Sequence, residues 1–276
     1  MKWLHFILSH SFFVSFCAVA LAFQTGRLLH VDIPAYLYGF IFFATLCSYN
    51  FYWILSRFSF SGTVPIAVFL EKEATGISLF LISLAGMVYF LLISPVQLNQ
   101  VAMAVLLTVA YSVPLLPFKF LHFTRKAGVL KTVLLAFTWT YVTAFLPMQT
   151  GWGLLSGADI FILTRRFLFM LMLCIIFDNR DKAVDKIRGL HSLATVLKPN
   201  QLLLLITVIF IVLFGTNFLS VQYGISLKQS IALQTSTIAL LVVYFLSTRK
   251  QGYLFYYFVV DGLMLFSALA TFVAGI

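Results

Sequence analysis

Nine apolar stretches, each near the ~20 residues that a helix needs to cross a bilayer, follow one another along this chain. They fall at about 6–24, 35–56, 77–94, 98–116, 129–147, 160–177, 201–221, 226–247 and 254–275. With 62% hydrophobic and only 9% charged residues, the 276-residue chain has too little polar surface to cover a soluble globule of its size. The expected fold is therefore all-α: a polytopic membrane protein of about nine transmembrane helices, with residues 1–276 forming one membrane domain. Pro114 and Pro117 end the fourth stretch, since proline cannot continue the helical hydrogen-bond ladder. The first stretch carries Ala18, Ala20 and Ala22 in a pattern like that of a signal-peptide cleavage site. Its length, and the span that follows closely, favour a membrane helix.

A formal charge of +10 could suggest nucleic acid, but no zinc motif, RNA-binding signature or soluble basic face accompanies it. Cys17, Cys47 and Cys174 lie within apolar runs in no CxxC spacing, so they point neither to a disulfide framework nor to a metal site. The basic residues divide by topology instead. Nine spans put the termini on opposite sides, and fourteen of the eighteen Lys and Arg then fall on the side of the amino terminus. The remaining four are Arg27, Arg165, Arg166 and Lys228. By the positive-inside rule the basic side is cytoplasmic, which places the loops after helices two, four, six and eight on that face. The expected location is the cytoplasmic (inner) membrane.

The loop after helix six holds most of the chemistry, in FDNRDKAVDKIRGLHSLATVLK at 177–198. Asp178, Asp181 and Asp185 stand at i, i+3 and i+7, and share one face if the preceding helix runs on through them. Like charges so placed repel, and are comfortable only in water, beside cations or around a metal ion. Local pairs such as Asp178 with Lys182 and Asp185 with Arg188 are one solution, with Gly189 as a helix stop. After helix four, residues 111–139 offer Tyr111, Ser112, Lys119, Arg125, Lys126 and Lys131 without one acidic residue. Such a cluster suits anionic lipid headgroups, or clamps a diphosphate whose oxygens share Mg²⁺ with nearby carboxylates. After helix two, Asn50 is the one strong polar side chain in an aromatic run, and suits either a helix–helix hydrogen bond or a ligand contact.

DNRDKAVDKIRGLHSLATVL resembles the second aspartate motif of the UbiA superfamily of membrane prenyltransferases, in which DxxxD is followed by a glycine; Asp181, Asp185 and Gly189 match in spacing. YSVPLLPFK resembles that family's segment after helix four, and LKTVLLAFTW the start of its helix five. The resemblance implies a UbiA-like helical bundle around a central cavity. It implies transfer of a polyprenyl group from its diphosphate to an acceptor of aromatic or lipid-quinone type, with Mg²⁺ as cofactor. Its implied catalytic residues are Asp181 and Asp185, with Asp178 beside them as metal ligand. Its implied diphosphate contacts are Asn50, Tyr111, Lys119, Arg125 and Lys131.

The family's first motif is NDxxDxxxD-like. Setting its Asn on Asn50 puts Phe51, Ile54 and Phe58 where carboxylates are expected, so every acid of that motif is missing. A non-catalytic relative that binds an isoprenoid or a partner protein is the alternative. Asp261 in the ninth stretch either compensates or is an ordinary exposed acid near the helix end. The expected partners are a polyprenyl diphosphate, a hydrophobic acceptor and membrane lipid. Neither nucleic acid nor any particular protein partner is called for.

Overall fold

The structure is a computed structural model that describes residues 2–60, 66–93, 98–112, 128–187 and 191–276. Among these residues there is no strand, and eight helices are long and apolar enough to cross a membrane. We label the long helices α1 Phe12–Leu29, α2 Ala35–Phe60, α3 Ala74–Leu92, α4 Leu98–Ser112, α5 Gly128–Thr140, α6 Gly157–Ile187, α7 Pro199–Leu219, α8 Leu227–Ser247 and α9 Asp261–Val273. α5 and α9 reach spanning length together with the π-turns that adjoin them, and the one that falls short is α4, of which the described part stops at Ser112, ahead of Pro114 and Pro117. All nine expected spans are thus found as helices, and the molecule is a multi-pass membrane protein.

Boundaries moved where local chemistry overrides hydropathy. The first stretch is two helices, Lys2–Ser9 and α1, separated at Ser11, whose φ of 65° is left-handed. The sixth stretch extends ten residues past 177, so that all three aspartates are helical. Pro199 at the first turn starts α7, where its missing N–H is no loss. Ser226 caps α8 by accepting from the Gln229 N–H.

Two helices widen into π-turns. After α5 the chain continues through the π-turn Tyr141–Phe145 to Met148. The cause is Pro147: without an N–H it leaves the Thr143 carbonyl no α-helical donor, and the Thr25 hydroxyl of α1 donates to that carbonyl instead, at 2.9 Å. The second π-turn, Phe255–Val260, leads into α9 and carries the tyrosines described below.

The bundle is built around α6, on which residues 169–176 are all buried, packed against α1, α5, α7 and α8. An outer pair, α2 and α3, is held by reciprocal notches. Phe90 of α3 fills the space a Cβ on Gly39 would occupy, and Phe43 of α2 does the same at Gly86. Gly39 and Gly86 thus let an aromatic ring of the facing helix lie directly against each backbone.

Two buried polar levels cross the bundle. One joins the ends of α5, α6 and α9 at the aspartates. The other lies about 18 Å along α6, by its 12-residue offset and helical rise, and centres on Arg166. The sequence reading counts Arg165 and Arg166 among loop charges of the far side; the structure corrects this. Both are inside α6 and only 3% and 2% exposed. The basic residues left at that end of the bundle are Arg27, in the last turn of α1, and Lys228, in the first turn of α8, which sharpens the asymmetry of charge.

Candidate functional site

The aspartate end of α6 is where the sequence places its chemistry, and the helix does carry Asp178, Asp181 and Asp185 on one turn-to-turn row. Each carboxylate, however, meets a different set of neighbours. Asp178 accepts at its Oδ2 from the Thr132 hydroxyl of α5 (2.6 Å) and from the Leu193 N–H (3.3 Å). It therefore ties the chain after α6 to the start of α5, and no bond to Lys182 forms.

Asp181 is chelated by its neighbour Arg180, with Nε to Oδ1 and Nη2 to Oδ2 both at 2.7 Å. Adjacent residues on a helix do not ordinarily face each other. Here the guanidinium is held by three aromatic faces, those of Phe177, Tyr256 and Tyr257, at 4.8, 5.3 and 5.2 Å from the ring centroids. The π-turn before α9 brings both tyrosines to it. Asp261, the next residue of α9, is buried at 8% exposure and within electrostatic range of Arg180. The expectation of an ordinary exposed acid fails: Asp261 is buried where the π-turn passes into α9.

Asp185 is buried. Its pairing with Arg188, and the helix stop at Gly189, lie outside the described residues, as do Lys119, Arg125 and Lys126. Lys131 is described, and it stands in the first turn of α5 rather than in a loop. Its ammonium lies 6.0 Å from the centroid of the Tyr52 ring and is within electrostatic range of Tyr52, Asp178 and Asp185. The ring of Tyr52 in turn packs against Tyr111, with centroids 5.8 Å apart. Of the expected diphosphate contacts, then, Lys131 and Tyr111 meet through Tyr52. Asn50 is buried and donates to the Leu46 carbonyl of its own helix at 2.8 Å.

Tyr111 also lines a cavity of about 210 Å³ among α2, α3, α4 and α5. Its walls are apolar, with Phe40, Met87, Val101 and Leu135 representative. Val105 and Val109 on α4 form part of the rim and are about half exposed, so the cavity opens toward lipid. Phe51 lines it too, packed on Phe80, and Phe58 packs edge-to-face on Phe69. The α2 face that carries no acids is thus an apolar wall.

Whether these residues suit Mg²⁺ follows from their partners. A hard dication needs several free oxygen ligands. Both oxygens of Asp181 are committed to a guanidinium, and Asp178 shares an oxygen between two donors. The described residues contain no group of three or more side chains able to hold a metal ion. As arranged, Asp181 could serve a metal only on release from Arg180.

Tyr52, Thr132, Arg180 and Asp261 are the parts of this site that sequence reasoning missed or set aside. Thr132 and Tyr52 belong to no motif, and only the proximity of α2, α5 and α6 reveals them.

Against known proteins, no family model matches the sequence, and no curated protein matches it either. Among solved structures, the apo structure of a UbiA homologue from Aeropyrum pernix K1 is similar with a TM-score of 0.58 and 13% identity, over 94% of this chain and 96% of that one. At that identity the likeness is one of architecture, and it extends over 94% of the chain: the helical bundle has the same fold as that UbiA homologue.

Proposed function

We propose that this chain is a prenyltransferase homologue that binds a polyprenyl diphosphate. The single observation that carries the reading is the joining of a lipid-open apolar cavity to a Tyr111–Tyr52–Lys131 cluster. Such a site is complementary to an amphiphile: isoprene units along the apolar walls, an anionic head at the ammonium. Lys119 and Arg125 are the further diphosphate contacts proposed from the sequence. In transfer, the bond from the allylic carbon to diphosphate oxygen breaks, and its electron pair leaves with the diphosphate. The allylic carbon then bonds to an acceptor carbon, which loses a proton. Apolar walls keep water from the cation, and Lys131 stabilises the departing charge. The acceptor proposed is hydrophobic, of aromatic or lipid-quinone type.

A second reading, binding without turnover, is favoured by the apolar face at Phe51, Ile54 and Phe58 and by the chelation of Asp181. One experiment addresses both. A labelled polyprenyl diphosphate is titrated into the purified protein, with EDTA or with Mg²⁺, and transfer to an aromatic acceptor is followed separately. Binding of micromolar order is expected, and Lys131→Met should weaken it ~10-fold or more by removing a charge-assisted contact. Absence of binding in both buffers would sink the proposal. Binding without transfer selects the second reading.

The aspartate end is proposed to face the cytoplasm of the inner membrane, on the asymmetry of Lys and Arg. Lys186 is exposed there, so a Lys186→Cys variant should resist an impermeant thiol reagent in intact cells and react after lysis. Labelling from outside would invert the topology.

A further inference from the structure

The polar level around Arg166 lies apart from the aspartate site and carries an imbalance of charge. Arg166 donates from Nη2 to the Leu21 carbonyl (3.1 Å), to Gln24 Oε1 (2.9 Å) and to the Thr25 hydroxyl (3.3 Å). Arg165, its neighbour, donates from Nε to Asn217 Oδ1 (2.7 Å) and from Nη2 to the Leu233 carbonyl (3.4 Å). Every one of these acceptors is neutral. All eight acidic residues of the chain lie in the described part, and none forms an ion pair with either arginine. Two guanidiniums on consecutive residues, each at most 3% exposed, are therefore buried without a counter-charge, Arg165 reaching α7 and α8 and Arg166 reaching α1.

Guanidinium does not give up its proton in proteins, so neutralisation by deprotonation is closed. An isolated charge within a bilayer is costly, and such residues ordinarily face a partner or a hydrated path. Moreover, Arg166 Nη1 is buried with no hydrogen-bond partner. The orientation of Gln24 is fixed, because its amide donates to the Ser267 carbonyl and hydroxyl and to Thr271; it cannot turn a second acceptor toward Nη1. The π-turn at Tyr141–Phe145 packs against both α1 and α6 in this neighbourhood, and π-turns recur at ligand sites.

We propose that Arg166 Nη1, with the adjacent charge of Arg165, holds a small monovalent inorganic anion of the chloride class within the bundle, between α1, α6 and the π-turn. The anion supplies the missing negative charge and accepts the unpaired N–H.

The test uses the full chain in detergent, with bromide and chloride against gluconate at equal ionic strength. The melting temperature should rise with halide and saturate, as expected for a ligand that binds only the folded state. Arg166→Gln should remove the dependence on halide. Should that variant fail to fold, a wild-type crystal grown in bromide decides: anomalous scattering within hydrogen-bond distance of Nη1 is expected. Equal melting in all three salts, or a bromide crystal with no peak at Nη1, overturns the proposal.

Discussion

The double substitution Ile54→Asp with Phe58→Asp is expected to raise prenyl transfer by ~10² or more while changing diphosphate affinity far less, because electrostatic stabilisation of a leaving group is commonly worth ~10²–10³ in rate. In the wild type, one face of α2 repeats the i, i+3, i+7 spacing of the aspartates on α6, but with Phe51, Ile54 and Phe58 in those places. The site then grips the diphosphate by lysine, which attracts substrate and transition state alike, and uniform binding does not speed chemistry. Carboxylates on α2 would give a divalent ion oxygen ligands beyond Asp181, whose two oxygens are held by Arg180. Transfer by the variant should accordingly depend on Mg²⁺ more steeply than transfer by the wild type. Phe58 is 45% exposed, so a charge there meets a modest desolvation cost, and folding should survive. The measurement is single-turnover transfer of a labelled prenyl group beside equilibrium binding for both proteins. Rapid transfer by the wild type would show that its own residues suffice. A rise in affinity equal to the rise in rate would show that α2 contributes ground-state binding only.

The helices were legible because hydropathy over ~20 residues reports a solvent, and the bilayer imposes it on every span alike. Depth and partner choice were not legible, because they depend on which faces meet. Arg165 and Arg166 illustrate depth: near the start of an apolar run they read as flanking charges, yet α6 begins at Gly157 and carries them inside. Arg180 illustrates partner choice. The sequence offers it several acids, and adjacency on a helix argues against Asp181. The two tyrosines from the π-turn before α9 decide the matter by holding the guanidinium where only that carboxylate is reached. The π-turn after α5 had a visible cause in Pro147, but its consequence, a carbonyl offered to Thr25 of another helix, needed the packing of α1 against it. The aspartate row itself was legible as spacing. What the spacing could not convey was that each carboxylate would be engaged separately, by a hydroxyl and an N–H, by a guanidinium, and by the field of Lys131.

Gln24→Leu should be the most destabilising single change in the polar level around Arg166. The side chain is 1% exposed, and leucine nearly matches its volume, so no large cavity forms and the effect isolates the polar terms. Three contacts from its amide to Ser267 and Thr271 bind α1 to α9, at 2.9, 3.0 and 3.0 Å. Hydrogen bonds between neutral groups in membrane bundles average only ~0.6 kcal/mol, so these contacts together account for less than ~2 kcal/mol. The larger part comes from Arg166, which loses the Gln24 Oε1 acceptor at 2.9 Å while no protein group serves its Nη1. A lost bond to a buried charge costs ~1.5–3 kcal/mol, which brings the expected total to about 2–4 kcal/mol. Gln24→Glu separates the two parts. It surrenders the amide donors, but places a carboxylate beside the uncompensated guanidinium, so it should retain more stability than Gln24→Leu despite introducing a buried charge. Reversible unfolding of the three purified proteins in detergent, under identical salt, gives the comparison. A loss below ~0.5 kcal/mol for Gln24→Leu would mean that water already serves Arg166 in place of Gln24, since an exposed or hydrated group loses little when one partner is removed.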